Sequence, residues 1–356
     1  NEDIINADEY PILKTVEPLK TKLFSRDILS FDIENNVVIY SLEQQINKQG
    51  SFISKVKYIK ALPMLKGLVT KYNPDIVHAH YATSYGVLGA LLKFKPFILS
   101  VWGSDVYLFP KKSIIHKLLL KYSLSKANLI LSTSYDMKRE TLKYTKKNIK
   151  VIPFGIDLTI FKNKKSKGIL SDSIRGSLVI GTVKSLEKVY GIEYLIKGFN
   201  IVLKQNKSLK LVIVGRGDEE LHLKTLVKEL NIEDNVIFTG YIDPVDVYKY
   251  HNIMDIEVFM SESESFGVSV IEASACENPV IVSNVGGLPE VVKENLTGYI
   301  VESKNYIQLS EQMQRLIDDT ELRENMGKNG RKMVEKDYNL MDNISEMSNI
   351  YKKCKV

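Results

Sequence analysis

The sequence predicts an α/β protein made of two doubly wound, Rossmann-like domains that share a central cleft. The chain has 356 residues, whereas a single domain takes about 100 to 200. Short β-branched runs alternate with helical patterns in both halves, which is typical of parallel sheets covered by helices. A polar stretch between the halves marks the expected domain boundary.

In the first half, five apolar runs predict strands, and a helical pattern follows each of them. The runs are Val37–Ser41, Asp75–His80, Pro96–Val101, Asn128–Thr133 and Ile149–Pro153. The stretch 162–177 is rich in lysine and serine, lacks a hydrophobic period and has the composition of a linker. We therefore expect an N-terminal domain over 1–161, followed by this linker.

The alternation restarts after the linker, which predicts a C-terminal domain over 178–335. Its expected strands are Leu178–Val183, Lys210–Val214, Asn235–Thr239, Ile256–Met260 and Pro279–Ser283. Ligands of doubly wound sheets bind outside the carboxyl ends of the strands, so functional residues are expected there. The segment 336–356 has one apolar helical face and is expected to pack back on the N-terminal domain.

Composition excludes several classes of protein. Hydrophobic residues make up 44% and charged residues 26% of the chain, the balance of an ordinary globular protein. The two cysteines, Cys276 and Cys354, have no metal-ligand spacing, so neither a disulfide scaffold nor a zinc site is expected and a cytoplasmic location fits. The best candidate for a membrane span, 86–103, is broken by Lys93 and Lys95.

Charge is distributed unevenly: residues 1–165 hold 26 Lys and Arg against 14 Asp and Glu, a net +12, whereas 166–356 hold 23 against 29, a net −6. Several lysines of the first half lie on or beside the apolar helical pattern Ser113–Leu124. They are Lys111, Lys112, Lys117, Lys121 and Lys126. Either this is an ordinary solvated helix face, or it meets an anionic partner such as the inner face of a membrane or a phosphorylated ligand. No nucleic-acid motif accompanies these lysines, so nucleic acid is not an expected partner.

The most informative stretch is 261–292, which follows an expected strand ending near Met260. Glu264 and Glu272 lie eight residues apart and flank the expected N-terminus of a helix. Free backbone N–H groups there, with Gly267 allowing close approach, suit a phosphate or a set of sugar hydroxyls. A carboxylate one or two turns further on can hold a ribose diol. In other surroundings, two such glutamates would be interpreted as a helix cap and a solvated face.

These residues resemble the family 4 retaining glycosyltransferases of GT-B fold, also called glycosyltransferase group 1. Glu264 and Glu272 match its E-x7-E motif within E-S-F-G-x-x-x-x-E-A, and the similarity extends from about Pro74 onward. Further matching segments are 279–281, 286–292 and 297–298. The resemblance implies that Glu264 contacts the donor sugar and that Glu272 holds the ribose, while the backbone of Phe266 and Gly267 faces the sugar and diphosphate. It also implies an acceptor-binding N-terminal domain and a nucleotide-sugar-binding C-terminal domain.

A second patch, 180–191, resembles the family segment in which G-R is followed a few residues later by K-G. The family lysine directly precedes its glycine, but Tyr190 stands there in this chain, so Lys188 is expected to neutralise the leaving diphosphate. Thr182 stands in place of the family arginine. Lys184, two residues further along the strand and so on the same side, is the expected substitute. The alternative is that both lysines belong to the surface of a loop.

Two more segments resemble the nucleotide pocket of the family. Gly215 and Gly217 follow an apolar strand, as in the family's V-G-x-G segment. Tyr241 and Ile242 lie in the loop that meets the base through backbone groups in the family. An aspartate of this loop could accept from the amino edge of a guanine, but a carboxylate at a proline turn is typically solvated or a helix cap. This favours uridine as the base.

Two strands of the first domain are expected to end at the cleft, the first at His80 and the second at Val101. The family commonly has H-G-S-D or H-G-T-D at the second of them, with a catalytic histidine near the donor sugar, whereas Trp102 takes the histidine's place here. Either His80 supplies an imidazole as proton carrier instead, or it is a hydrogen-bonded histidine at a strand end. Gly103 and Asp105 are expected to line the donor sugar or the acceptor site, with Asp105 among the catalytic residues.

The sequence contains no Asp-x-Asp, and the nearest patterns, 32–34 and 255–257, lie in or beside expected strands. We therefore predict no metal site and no cofactor besides the nucleotide-sugar co-substrate. The family's Gly-rich loop after a first strand has no convincing counterpart. Either the chain is truncated at its front, or acceptor contacts are built differently.

The resemblance predicts a retaining, metal-independent hexosyltransferase that uses a UDP-sugar and a glycan or glycolipid acceptor. Such an enzyme would fit polysaccharide biosynthesis, in the cytoplasm and peripheral on the inner face of the membrane. Two alternatives stay open. One is a sugar-nucleotide epimerase or hydrolase of the same architecture, and the other is a non-catalytic nucleotide-sugar-binding protein, which the replacement of the family histidine by Trp102 allows.

Overall fold

The computed structural model describes residues 57–164, 169–170, 172–206 and 208–355, and before them the backbone of three short strands. These are β1 (Lys22–Leu23), β2 (Asp32–Ile33) and β3 (Val37–Ile39), in the sheet order β1-β3-β2. β1 is parallel and β2 antiparallel to β3. The other residues before 57, and linker positions 165–168 and 171, lie outside the described residues.

Contacts divide the chain into two compact units. The first comprises 1–131, 141–150 and 348–356, and the second comprises 132–140 and 151–347. The expected linker therefore lies inside the second unit, and the end of the chain belongs to the first.

The first unit is built on a four-stranded sheet in the order β4-β5-β6-β7. The strands are β4 (Val77–His80), β5 (Phe97–Ser100), β6 (Leu129–Ser132) and β7 (Ile149–Val151). β5 is parallel to both β4 and β6. The helices are α1 (Leu62–Tyr72), α2 (Ser84–Leu92), α3 (Ser104–Tyr107) and α4 (Ile114–Lys126), with 3-10 turns at Lys57–Ala61 and Phe109–Lys111. The next helix, α5 (Tyr135–Leu142), belongs to the second unit over 135–140.

The central strand β5 is buried along its whole length, as its continuous apolar run predicts for a parallel strand. Helix α2 packs closely on it, because a Cβ at Gly89 would lie only 2.5 Å from the Phe97 ring. Helix α4 ends where the ammonium of Lys147 donates to the carbonyl oxygens of Ser125 and Ala127 at 2.6 and 2.5 Å. These contacts lie at the edge of the sheet where β5 and β6 begin.

The second unit contains a six-stranded parallel sheet in the order β10-β9-β8-β11-β12-β13. Its strands are β8 (Leu178–Val183), β9 (Leu209–Val214), β10 (Val236–Gly240), β11 (Ile256–Phe259), β12 (Val280–Ser283) and β13 (Gly298–Val301). The helices are α6 (Ile192–Leu203), α7 (Glu220–Glu229), α8 (Val247–His251), α9 (Val268–Ala275), α10 (Tyr306–Asp318), α11 (Thr320–Asp337) and α12 (Leu340–Cys354). Residues 348–354 of α12 belong to the first unit. Short 3-10 helices lie at Lys188–Tyr190, Glu233–Asn235, Pro244–Asp246 and Leu288–Glu290.

Both faces of this sheet are buried. On one face, Ile180, Leu211 and Val258 pack with residues of α6, α7 and α10. On the other, alternate residues of the same strands join separate apolar clusters, with Val212 in one of them and Phe259 in another. A strand that is buried on both faces needs a continuous apolar run, which is the pattern that the sequence shows. The predicted α/β class with two parallel, Rossmann-like sheets is confirmed.

Strand order reverses between β8 and β11, the first and fourth strands of the six-stranded sheet in chain order. Ligands of open α/β sheets bind at such a switch point, outside the carboxyl ends of the strands. The loops after Val183 and after Phe259 meet there. No helix among the described residues is long and apolar enough to cross a membrane.

Candidate active site

Lys184 and Glu264 form an ion pair at the switch point. Lys184 directly follows β8, and Glu264 lies in the loop between β11 and α9. Lys184 Nζ lies 2.6 Å from Oε2 of Glu264, and the two side chains are only 14% and 13% exposed. Both residues were expected at the site from the sequence, and the structure brings them together.

The aromatic ring of Tyr190 supports this lysine. Lys184 Nζ lies 4.6 Å from the ring centroid, a distance at which the ring face attracts a cation. Tyr190 occupies the position of the family lysine, and its ring lies beside the ammonium group of Lys184 at the strand end. Lys188 is exposed and makes no ion pair with any described residue. It lines a cleft of about 310 Å³ that also includes Glu193 and His222.

Gly215 and Gly217 shape the loop that carries Lys184. The backbone N–H of Lys184 donates to the carbonyl of Val214, and that of Leu186 donates to Arg216, each at 3.0 Å. A Cβ at Gly215 would overlap the carbonyl oxygen of Lys184, and a Cβ at Gly217 would overlap that of Leu186. The two glycines, expected to line the nucleotide pocket, therefore also allow two loops to meet backbone to backbone.

A second pair of glycines holds the loop of Glu264. The N–H of Gly287 donates to the carbonyl oxygen of Glu264 at 3.0 Å, and a Cβ at Gly286 would overlap the same oxygen. Ser134 Oγ donates to the carbonyl of Ser265 at 2.6 Å. The backbone on both sides of the Glu264 side chain is therefore fixed.

The start of α9 lies next to this loop. Gly267 takes φ +107, which favours glycine, and no side chain caps the helix there. The Phe266 ring is buried between Phe154 and Tyr338, with ring centroids 5.7 and 5.8 Å away. Phe266 and Gly267 can therefore contact a ligand only through their backbone, and a backbone contact is what the resemblance implies for them.

Glu272 lies on α9, one turn beyond its start, and is 17% exposed. Its Oε2 lies 3.5 Å from Nε2 of His251, which is fully buried. Burial alone would lower the pKa of His251, but Glu257 and Glu272 outweigh it and raise this pKa to about 10. Sequence analysis missed His251 and Glu257, although a carboxylate within the apolar run of β11 was a signal for a buried partner.

The loop after β10 is arranged around Tyr241 and Ile242. The guanidinium of Arg216 lies 5.0 Å from the Tyr241 ring centroid, and Ile242 packs into the apolar cluster of β8 and β9. Asp243 Oδ1 accepts from the N–H of Val245 at 3.1 Å, so this carboxylate caps the 3-10 helix that follows. Asp246 pairs with Lys249 at 2.5 Å. Both aspartates therefore have partners within the protein.

In the first unit, His80 lies at the end of β4 and faces Trp102. The indole Nε1 donates to His80 Nδ1 at 3.3 Å, so the neutral imidazole carries its proton on Nε2. Desolvation lowers the pKa of His80, and burial, with a smaller contribution from His80, lowers the pKa of His78 to about 3. His78 bonds Tyr351 of α12 and Ser100, each at 2.8 Å. Both histidines are therefore neutral near pH 7.

Asp105 is a correction to the expected site. Its side chain is fully buried, and its carboxylate accepts from the backbone N–H groups of Ala82, Trp102 and Gly103 at 2.7, 3.1 and 2.8 Å. Burial raises the pKa of Asp105 and these backbone bonds oppose the rise. Because both oxygens accept from backbone N–H groups, Asp105 ties together the loops after β4 and β5. Gly103 takes φ +133 within the second of these loops.

The second unit thus has the features of a nucleotide-binding Rossmann-like domain. Its strand order is that of the dinucleotide-binding sheet, and its switch point presents a cation, a carboxylate and a helix start without a capping side chain.

A family model described as glycosyl transferases group 1 matches residues 171–333, and one described as glycosyl transferase 4-like matches residues 4–134. The capsular polysaccharide biosynthesis glycosyltransferase CapM of Staphylococcus aureus is 32% identical over 308 residues, covering 82% of this chain and 80% of CapM. The N-acetyl-alpha-D-glucosaminyl L-malate synthase of Bacillus anthracis is 27% identical over 326 residues, covering 88% and 84%. The solved structure of Anabaena HepE with UDP and glucose has a TM-score of 0.74 at 18% identity, over 89% of this chain and 86% of HepE.

The chain therefore belongs to the group 1 glycosyltransferases, the family 4 enzymes of GT-B fold. The resemblance expected from Glu264, Glu272 and the glycines around them is confirmed at the level of family, fold and glycosyl transfer.

Proposed function

We propose that this glycosyltransferase is a retaining, metal-independent enzyme that transfers a hexose from a UDP-sugar to a hydroxyl of a glycan or glycolipid, in polysaccharide biosynthesis. The observation that carries the proposal is the Lys184–Glu264 pair at the switch point, followed by the start of α9 and by Glu272. Lys184 suits the diphosphate and Glu264 the sugar. The backbone N–H groups at the start of α9 suit the phosphates, and Glu272 suits the ribose of one extended donor.

Uridine is proposed as the base. Asp243 caps a 3-10 helix and Asp246 pairs with Lys249, and these contacts favour the capping and solvated roles over a contact with a guanine amino group. Tyr241 and the Arg216 guanidinium form a platform beside the backbone of the same loop. Solved HepE, which has the same fold, holds UDP and glucose, and this supports a uridine donor by analogy.

Lys184, in preference to Lys188, is proposed to neutralise the leaving diphosphate. Without a donor, its charge is balanced by Glu264. When the donor binds, its phosphates take over part of this pairing, and Glu264 becomes available to the sugar hydroxyls. Negative charge on the diphosphate grows as the glycosidic bond breaks, so Lys184 binds the transition state more strongly than the ground state.

For retention, we favour a role of Glu264 in orienting the sugar and not in forming a covalent bond. The bond between the anomeric carbon and the phosphate oxygen breaks through an oxocarbenium-like transition state. The acceptor oxygen forms its bond on the same face, and the departing phosphate oxygen takes the acceptor proton. Configuration is kept because the nucleophile and the leaving group use one face of the sugar.

The acceptor is proposed to be presented at an anionic membrane surface. Ile114 and Leu118 of α4 are 67% and 58% exposed, although both are large apolar residues. Exposed lysines surround them, and no acidic residue occurs between Val106 and Tyr135. An apolar stripe with a basic border is typical of helices that lie in the membrane interface. CapM, whose name places it in capsular polysaccharide biosynthesis, supports a polymer or lipid-linked acceptor.

Turnover of UDP-hexoses by two lysine variants tests the proposal. Lys184→Ala is expected to lower kcat by about 100-fold, because an electrostatic group at the developing charge is lost. Lys188→Ala removes the same charge from the same loop and serves as the matched control, with kcat within about threefold of the wild type. NMR of the product should show the anomeric configuration of the donor.

Other outcomes select the alternatives. A larger loss in Lys188→Ala than in Lys184→Ala would return the diphosphate role to Lys188, and an inverted product would exclude retention. Rapid, complete conversion of the UDP-sugar without any acceptor indicates an epimerase or hydrolase. Thermal stabilisation by UDP-sugars without any turnover indicates a binding protein.

A further inference from the structure

Behind Glu272, inside the second unit, lies a buried group of polar side chains. Glu257, in the middle of β11, is fully buried, and its two oxygens lie 2.8 and 2.9 Å from Nδ1 of His251. Asn278 Nδ2 donates to Oε1 of Glu257 at 2.8 Å and to the carbonyl oxygen of His251 at 2.6 Å. The other ring nitrogen of His251 faces Glu272. One imidazole therefore connects a buried carboxylate to the carboxylate of α9.

The chemistry of this group favours a positively charged ring. An ionised carboxylate only accepts hydrogen bonds, and a neutral imidazole donates only one. With Glu257 on one side and Glu272 on the other, only the imidazolium presents an N–H to each carboxylate. The contact with Glu272, at 3.5 Å, is an ion pair and not a hydrogen bond. A buried carboxylate without a cation would carry a large desolvation cost, so Glu257 keeps the ring charged and the ring keeps Glu257 ionised.

We propose that His251, anchored by Glu257, is a positioning residue that holds the Glu272 carboxylate in place for the ribose hydroxyls of the donor. The inference rests on the proposed function, which assigns the ribose to Glu272. A glutamate that is free to rotate loses side-chain freedom when it binds a ligand, whereas one already held in place does not. Because His251 faces Oε2, the other oxygen of Glu272 is left to accept from a hydroxyl.

The test compares two ligands on one double variant. His251→Gln with Glu257→Gln removes both buried charges together, so no unpaired charge is left in the core. Calorimetry measures Kd for UDP and for 2′,3′-dideoxy-UDP, which lacks both ribose hydroxyls. The double variant is expected to bind UDP about tenfold more weakly than the wild type, the effect of a weakened hydrogen bond to a charged group. The dideoxy analogue should bind both proteins within about twofold.

An equal loss for both ligands would mean a general structural effect and overturns the inference, as does an unchanged Kd for UDP. A matched control is Glu324→Gln with Lys328→Gln, which removes an exposed ion pair of α11 and should leave both Kd values unchanged. If the first double variant does not fold, Glu257→Gln alone is measured in the same way, with the same expected difference between the two ligands.

Glu272→Gln separates this inference from the proposed function. If this variant binds UDP like the wild type, the assignment of the ribose to Glu272 is wrong and the inference is overturned with it. If Glu272→Gln loses affinity for UDP and the His251 variants do not, only the positioning role is overturned.

Discussion

Gly215 occupies a position that no other residue can take without moving the loop of Lys184. Its φ is +137, and a Cβ would overlap the carbonyl oxygen of Lys184. We expect Gly215→Ala to lower the free energy of unfolding by about 2 to 4 kcal/mol, through backbone strain and this overlap. Urea unfolding measures the loss. Turnover should fall as well, because the strand end that carries the cation is displaced.

Two other glycines serve as controls for this prediction. Gly240 takes φ +73 with no atom within 4 Å of the Cβ position, so Gly240→Ala isolates backbone strain, at about 1 kcal/mol. Gly67 lies within α1 with equally open surroundings, and Gly67→Ala should stabilise by up to about 1 kcal/mol. A loss in Gly215→Ala no larger than that in Gly240→Ala would contradict the role of the backbone contact.

The sequence predicted Lys188 at the leaving diphosphate and Lys184 as the substitute for the family arginine, but spacing alone does not give the direction in which either side chain points. That direction depends on the path of the loop 184–191, which is set by its contacts with the distant residues Gly215 and Gly217. For Asp105, the motif was found in the sequence but burial of the side chain was not predicted. Its motif suggested a role at the ligand, whereas burial and three backbone donors give it a structural one.

His251 escaped prediction because nothing in its local sequence sets it apart. It lies six residues before Glu257 and 21 before Glu272, and only the fold brings the three together. The available signal was Glu257 itself. A carboxylate in a strand that is apolar on both faces must have a partner, although the sequence does not say which.

Among the helices, α5 depends on a residue far away in the chain. The N–H groups of Tyr135 and Asp136 donate to the two carboxylate oxygens of Glu290 at 2.7 and 2.6 Å. Ser134 Oγ accepts from the N–H of Met137 at 3.1 Å. The first three N–H groups of the helix are therefore satisfied, two of them by one carboxylate near the positive end of the helix dipole.

We expect Glu290→Ala to lower the free energy of unfolding by about 1 to 2 kcal/mol, since two helix N–H groups lose their acceptor. Hydrogen exchange should accelerate at Tyr135 and Asp136. Glu290→Gln keeps one acceptor oxygen and should give a smaller loss. Asn305→Ala, which removes a side-chain cap from α10, is the matched control and should leave exchange in α5 unchanged. Equal exchange in α5 for wild type and Glu290→Ala would contradict the capping role.

Strands that are buried on both faces could be predicted well from sequence, because such strands need continuous apolar runs. The expected run Leu178–Val183 is β8 without any change, and Asn128–Thr133 contains β6. β13 was missed, since this edge strand has only four residues, Gly298–Val301, directly after a turn. The contacts between loops were not predictable from the sequence. Each of them depends on a single glycine that lies against a carbonyl group far away in the chain.

The first and second parts of the sequence have net charges of opposite sign. Residues 1–165 have a net charge of +12, whereas 166–356 have −6. Five lysines of the first part, all exposed, lie in α4 or just before it, beside the exposed apolar side chains of this helix, which lies in the first unit. If a membrane carries the acceptor, as proposed, attraction to anionic lipid should come from this surface and from nowhere in the second unit.

Sedimentation with vesicles tests this surface. Binding to vesicles that contain phosphatidylserine is expected at 0.01 M salt and should be lost at 0.5 M, because the Debye length falls from about 30 Å to below 8 Å. Each lysine near such a surface contributes about 1 kcal/mol, so each Lys→Gln change in α4 or just before it should weaken binding about fivefold. The lysines to change are Lys111, Lys112, Lys117 and Lys121, which are all exposed.

A charge-matched control decides whether position matters or only net charge. Changing four exposed lysines of the second unit to glutamine lowers the net charge by the same amount and should leave vesicle binding nearly intact. These are Lys204, Lys228, Lys332 and Lys336. Ile114→Ser with Leu118→Ser keeps every charge but removes apolar contact, and it should weaken binding at 0.01 M salt. Equal effects of the two lysine sets would mean attraction by net charge alone, and no binding at low salt would leave α4 as an ordinary solvated face whose acceptor reaches the enzyme from solution.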